Sequence, residues 1–197
     1  MTETYAAPVT NAKIPTRERI LDASLALFIE KGIAGTTVSD IERAVGLAAG
    51  TGSFYRHFRS KEDLVVPAFE RGVTHLAQRL DTERAAATMS VDDPVERDVR
   101  DYRGLLDEMR QFHPLWVLLF SERDQFPELQ EVFIDSLGMR DWGLDWDRDW
   151  LRMIVLSALT GFNQLAMMDA TDFATVDGDA FVERLAELTD RVRSDRQ

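Results

Sequence analysis

Residues 36–64, TTVSDIERAVGLAAGTGSFYRHFRSKEDL, constrain the fold more than any other part of this chain, because two helix starts and a helix stop fall within one short stretch. Thr37 with Asp40, and Ser60 with Asp63, have the spacing of a capping box, in which a hydroxyl and a carboxylate three residues apart satisfy the orphan N–H groups of a helix N-terminus. Helices should therefore begin near residues 38 and 61. Val38, Ile41, Ala44 and Val45 recur at spacings of three and four, one apolar face of a short helix, and Gly46 stands where a helix ends in the left-handed region. A further helix is expected over 47–58. Its Phe54 and Phe58, four residues apart, would enter the core, while Thr51, Ser53, Tyr55, Arg56 and His57 include the positions left for solvent. Two short helices across a glycine turn, the second with a polar outer face, have the form of a helix-turn-helix, whose second helix lies in the major groove of DNA.

The total charge of −12 argues at first against a polyanionic partner. The acid is unevenly placed, however. Residues 1–66 hold 8 Lys+Arg and 8 Asp+Glu, whereas residues 67–197 hold 15 and 27. Between residues 47 and 61 stand Arg56, Arg59 and Lys61 and no acid, so this segment is locally +3. Long-range steering should be weak, and binding should rest on close contacts and on salt.

The same residues carry a family resemblance. Thr36-Thr37-Val38 at a helix start, Ala44-Val45-Gly46-Leu47 at the turn, and Phe54-Tyr55-Arg56-His57-Phe58 leading into Ser60-Lys61-Glu62-Asp63-Leu64 resemble the DNA-binding domain of the TetR/AcrR family of bacterial transcriptional regulators. Arg17-Glu18-Arg19-Ile20-Leu21-Asp22-Ala23, Leu27-Phe28 and Lys31-Gly32 resemble the first helix of those proteins, so the likeness covers residues 16–66. Between Gly46 and Tyr55 the chain has two more residues than the commonest spacing of the family. The resemblance implies that Tyr55 and His57 reach phosphates, that Lys61 does so at the start of the fourth helix, and that Thr37 does so at the start of the second. A helix N-terminus favours an anion through its free N–H groups, which suits Thr37 and Lys61. Thr51, Ser53 and Arg56 are the candidates for base edges. The competing reading makes Tyr55 and His57 ordinary surface residues of a three-helix unit, and Thr51 and Ser53 parts of a turn or cap.

The remainder reads as helical, with neither sustained apolar alternation nor a hairpin signal. The expectation is an all-α protein of about nine helices: an arm over 1–14, a three-helix helix-turn-helix domain over 15–66, and a larger helical domain for effector binding and dimerisation over 67–197. Helices are expected over 61–87, 95–112, 113–126, 127–139, 146–168 and 178–192. Pro67 would fall inside the first of these, where a proline removes a hydrogen bond and favours a kink, placing a hinge at the domain junction. In the arm Lys13, like Arg17 in the first helix, is a possible DNA contact, with solvated charge as the plainer role.

The second domain is rich in aromatic and thioether side chains. Tyr102, Met109, Phe112, Trp116, Phe120, Trp150, Met153 and Met167 could line a pocket for an apolar or aromatic small molecule, with His113 and Asn163 fixing its orientation. At helical spacing the same residues also read as plain core. Leu151, Ile154, Val155, Ala158, Phe162 and Leu165, with Phe181, Leu185, Leu188 and Val192, offer two apolar helix faces that would pair with their symmetry mates, and burial within one subunit is the alternative. A twofold homodimer is what a helix-turn-helix needs to read a palindromic operator in double-stranded DNA.

Enzyme signatures are missing. The three histidines are scattered, with no metal-binding spacing, no phosphate loop and no nucleophile elbow. With no cysteine there is no disulfide frame or zinc–thiolate site, and no cofactor or metal is implied. No secretory signal and no run of about 18 apolar residues is present, so a cytoplasmic protein without a membrane partner is expected. The expectation is thus a ligand-responsive regulator, most simply a repressor released by its effector. The alternative is a DNA-binding regulator whose second domain binds a protein or no ligand.

Overall fold

The computed structural model describes residues 14–47, 52–86, 91–137, 146–167 and 177–195. Seven α-helices and two short 3₁₀ helices account for the regular structure among them, and no strand occurs there. They are α1 (Thr16–Gly35), α2 (Val38–Ala44), α3 (Val65–Ala86), α4 (Pro94–Glu122), α5 (Glu128–Ser136), α6 (Trp146–Met167) and α7 (Gly178–Ser194), with 3₁₀ turns at Phe54–Arg56 and Glu62–Leu64. The chain divides into two compact units, Met1–Asp81 with Phe112–Asp141, and Thr82–Gln111 with Trp142–Gln197.

The first unit grows from the sequence pattern around residue 20. Ile20, Leu21, Leu25 and Phe28 lie on one face of α1 and are buried, as is Ser24, whose hydroxyl donates to the Ile20 carbonyl. Against them pack Ile41 of α2, Phe54 and Phe58, then Leu64, Phe69, Val73 and Leu76 at the start and along α3. The same core continues through Phe112, Leu115 and Leu119 of α4 to Leu129 and Phe133 of α5. Residue 66 thus lies inside this unit. Arg71 of α3 ties the first helix to it, donating to both oxygens of Asp22 at 2.6 and 3.2 Å and pairing with Glu18.

The second unit has its own core. Leu106 of α4, Val155 and Leu159 of α6, and Val182 and Leu185 of α7 are buried together, with Phe162 and Phe181 stacked at 4.2 Å between α6 and α7. At the edge of this core the Tyr102 hydroxyl donates to Thr189 Oγ1 at 3.2 Å, and Arg193 pairs with Asp98.

Several expectations change. The nine expected helices become seven among the described residues. Residues 95–112 and 113–126 do not form two helices, because α4 runs unbroken through Pro114. An interior proline costs about 3 kcal/mol. Buried Phe112, Leu115, Leu118 and Leu119 on both sides of it hold the helix together. Pro67, by contrast, is the third residue of α3, within its first turn, where a proline is tolerated without a kink. The helix expected from residue 61 opens instead as the 3₁₀ turn Glu62–Leu64, with Asp63 N–H donating to Ser60 Oγ at 3.2 Å.

The helix expected over 47–58 is the largest change. Within it the described residues show only the 3₁₀ turn Phe54–Arg56, and Gly52 has φ of 69°, a left-handed conformation that no continuous α-helix admits. This permits a sharp test. Nothing lies within 4 Å of a methyl group added at Gly52, so Gly52→Ala reports the backbone alone. Urea unfolding should show a loss of about 1 kcal/mol; a continuous helix over this segment would give a gain of similar size.

Candidate nucleic-acid interface

The polar face is built by its neighbours. Thr37 caps α2 with the full reciprocal box: Asp40 N–H donates to Thr37 Oγ1 at 3.2 Å, and Thr37 N–H donates to Asp40 Oδ2 at 3.1 Å. The Thr37 hydroxyl donates to the same oxygen at 2.6 Å, and Arg43 donates to the other at 3.0 Å. These bonds to Thr37, side chain first and backbone second, hold the Asp40 carboxyl below its ordinary pKa range. At the far end of α2, Gly46 has φ of 69° and makes the expected left-handed turn.

Phe54 and Phe58 enter the core, as their spacing requires, and their ring centroids are 6.0 Å apart. The chain between them has only one direction left for its side chains. Tyr55 is 61% exposed, and Arg56 and His57 are exposed beside it. Ser53 is half-buried at the entry to the turn; Thr51 and Lys13 lie outside the described residues. Arg59 is exposed, whereas the Arg17 guanidinium lies over the Phe58 ring, 5.0 Å from its centroid.

Three polar contacts here were not foreseen. Lys61, expected to point to phosphate, donates to the Ile33 carbonyl at 2.7 Å and the Thr36 carbonyl at 2.9 Å. Arg19 donates to the Val45 carbonyl at the end of α2. Glu42 is 3% exposed and accepts the Phe54 N–H at 3.4 Å, linking α2 to the 3₁₀ turn. A signal for Glu42 existed, since it falls four residues after Val38 and three before Val45, on the apolar face of α2. Lys61 and Arg19 gave none, because their acceptors are backbone carbonyls 28 and 26 residues away.

The candidate effector residues divide between the units. Phe112, His113, Trp116 and Phe120 belong to the first, where Phe112 and Trp116 pack on Phe133 and Trp116 stacks on Phe120 at 5.2 Å. Tyr102, Met109, Trp150, Met153, Asn163 and Met167 belong to the second. Tyr102 and Met109 pack on its core, and burial raises the Tyr102 phenol above its ordinary pKa. The Met167 side chain lies outside the described residues. His113 Nδ1 and Asn163 Oδ1 are buried without a hydrogen-bond partner. A cleft of about 340 Å³ opens at the start of α7, lined by Arg103, Leu106, Asp107, Arg110, Asp177, Gly178, Asp179 and Val182 and by none of the candidates. Arg103 pairs there with Asp179, and Arg110 with Asp107.

Among the described residues no group of three or more His, Cys, Asp or Glu could hold a metal ion, and no helix is long and apolar enough to cross a membrane.

Among the described residues, the capped α2, the left-handed glycine turn and the outward Tyr-Arg-His segment together form a candidate DNA-reading surface. Residues 20–67 match the family described as bacterial regulatory proteins, tetR family. The chain is 30% identical over 116 residues to the uncharacterized HTH-type transcriptional regulator YerO of Bacillus subtilis (strain 168), covering 59% of this chain and 38% of that protein. It is 45% identical over 56 residues to the HTH-type transcriptional repressor KstR2 of Rhodococcus jostii (strain RHA1), covering 28% and 26%. The matches thus span well under half the length of these relatives, both of which are regulators of transcription rather than enzymes. In fold it is similar to a Saccharomonospora viridis protein solved in complex with choline, with a TM-score of 0.59 at 19% identity over 90% of this chain and 95% of that one. The likeness to the tetR family is thus carried by residues 20–67.

The capping box makes a prediction with a pH signature. Thr37→Ala should lower the unfolding free energy by about 1 kcal/mol at neutral pH. A carboxyl whose folded pKa is depressed stabilises above its ordinary range and loses that contribution as pH falls through the folded value. The gap between Thr37→Ala and wild type in thermal unfolding should therefore close as pH drops below the ordinary carboxylate range.

Proposed function

We propose that this protein is a DNA-binding transcriptional regulator, a homodimer that represses at a palindromic operator and is released by a small-molecule effector in the cytoplasm. The observation that carries the DNA half is the outward display of Tyr55, Arg56 and His57 by the two buried phenylalanines on either side. Tyr55 and His57 contact phosphates, together with the N-terminal turn of α2 at Thr37. Ser53, Arg56 and Thr51 read base edges. The net acidity of the chain keeps binding dependent on these close contacts.

Dimerisation is supported by what the second unit leaves uncovered. Val155, Phe162, Phe181 and Leu185 are spent on its own core, but Ile154, Leu165 and Leu188 remain 47%, 51% and 54% exposed on α6 and α7. Gly161 lies between the two on α6, with open space around its Cα, so a partner helix can approach closely. Effector response is supported by the unpartnered Asn163 Oδ1 of the second unit, which a polar group of a ligand would satisfy. Exposed Val117 and Phe120 on α4 favour a second reading, in which a protein partner takes the effector's place.

Selection of bound sequences from a random duplex pool at two salt concentrations tests the proposal. A palindrome should be enriched, and its binding should weaken steeply with salt. Tyr55→Phe should reduce affinity by a similar factor on every sequence, whereas Arg56→Ala should change the preferred bases. If neither salt yields enrichment, sequence-specific regulation is excluded for the free protein.

The oligomeric claim has its own check. Ile154→Glu combined with Leu188→Glu places like charges on the proposed interface and should convert a dimer to a monomer in sedimentation velocity, with each unit still helical by circular dichroism. Palindrome affinity should fall at least tenfold with it, since two half-sites are then bound independently. A wild-type protein already monomeric at micromolar concentration would end the dimer proposal.

A further inference from the structure

Helix α1 ends in difficulty. Gly32 leaves helical geometry with φ of 73° and ψ of 163°, and in the corner that follows Ile33 and Thr36 are almost fully enclosed while Ala34 and Gly35 are exposed. The last carbonyls of a helix have no partner within it and need donors from elsewhere when water is excluded. The Thr36 hydroxyl serves Gly32 at 2.8 Å and approaches Leu27 at 3.2 Å. Lys31, in the last helical turn before Gly32, is exposed. Lys61 supplies two donors from the far side of the candidate DNA-reading segment, through its bonds to Ile33 and Thr36.

We propose that Lys61 is a positioning residue for DNA reading: its ammonium clamps the α1–α2 corner to the start of α3, and it acts on DNA through that corner instead of neutralising a phosphate itself. The proposal rests on the DNA-binding reading above. Two of the three donors on the ammonium are committed to carbonyls, and the carbonyl of Thr36 is the peptide group that leads directly into Thr37, the cap of α2. The clamp therefore joins the two ends of the segment from Thr36 to Lys61, which holds α2 and the exposed Tyr55, Arg56 and His57. The cationic part of any DNA contact then falls to exposed groups such as Arg56 and Arg59.

The two roles separate in the salt dependence of binding. A lysine that neutralises a phosphate contributes about 0.9 to the slope of log K against log salt. Lys61→Met keeps the length of the apolar stem, ends one bond short of the ammonium, and removes charge and donors together. Lys61→Gln has the same reach as methionine and is uncharged but retains an amide donor for a carbonyl. Binding of the full-length wild type and both variants should be titrated over a range of salt, on the duplex recovered by selection and on a mixed-sequence duplex of equal length, with thermal unfolding recorded for each.

For Lys61→Met we expect a lower melting temperature, roughly tenfold weaker binding to the selected duplex, a smaller loss on the mixed duplex, and a slope changed by less than half of the one-phosphate step. Lys61→Gln should recover part of the affinity at the same slope. A slope lower by the full step in both variants, with unfolding unchanged, overturns the clamp and returns Lys61 to the phosphate. Should Lys61→Met fail to fold, the slope of Lys61→Gln decides alone. A wild-type protein that binds neither duplex defeats the DNA-binding reading and the proposal with it, an outcome distinct from a bound wild type whose variants lose a phosphate.

Discussion

The burial of Phe54 is the contact on which the candidate DNA-reading segment depends. Its ring has no exposed surface, lies in edge contact with Tyr55 and sits among the apolar side chains of α1, α2 and α3. Burying a phenylalanine side chain stabilises a fold by about 1.5–3 kcal/mol. That is enough to fix a 3₁₀ turn whose own hydrogen bonding could not hold it. Once Phe54 and Phe58 are inside, Tyr55, Arg56 and His57 have no route except outward. The display of polar groups is therefore a by-product of hydrophobic packing.

A second constraint concerns helix ends. Short helices expose a large share of their peptide groups at the termini, and in a unit this small those termini are close to the core. The Thr37–Asp40 box solves the start of α2 locally. Its end and the end of α1 are solved by cations from elsewhere in the chain, Arg19 on Val45 and Lys61 on Ile33 and Thr36. With Arg17 stacked on Phe58, a good part of the positive charge in this region serves the scaffold. Counting cations along the segment overstates what DNA would meet.

The second unit follows a different logic. Its α6 and α7 each divide their apolar residues between an internal core and solvent, Phe162 against Phe181 on one side and Ile154, Leu165 and Leu188 on the other. A helix with two apolar faces needs two partners, and among the described residues one is present. The buried Oδ1 of Asn163 poses the same question on a smaller scale, because an unmet hydrogen bond in an apolar setting costs roughly 1–3 kcal/mol.

By itself the sequence determined the features that local rules control. The all-helical class, the starts of α2 and α7, the glycine turn at Gly46, the inward phenylalanines and the outward Tyr-Arg-His triplet all follow from spacing and from cap chemistry acting within a few residues. Tertiary structure decided the rest. It carried α4 through Pro114 because apolar side chains on both sides are buried, and it broke the expected helix over 47–58 at Gly52. It also set the Lys61 ammonium on two backbone carbonyls and buried Glu42. Those outcomes depend on acceptors and cores assembled from distant segments, and a period of three or four residues carries no information about a carbonyl 28 positions away.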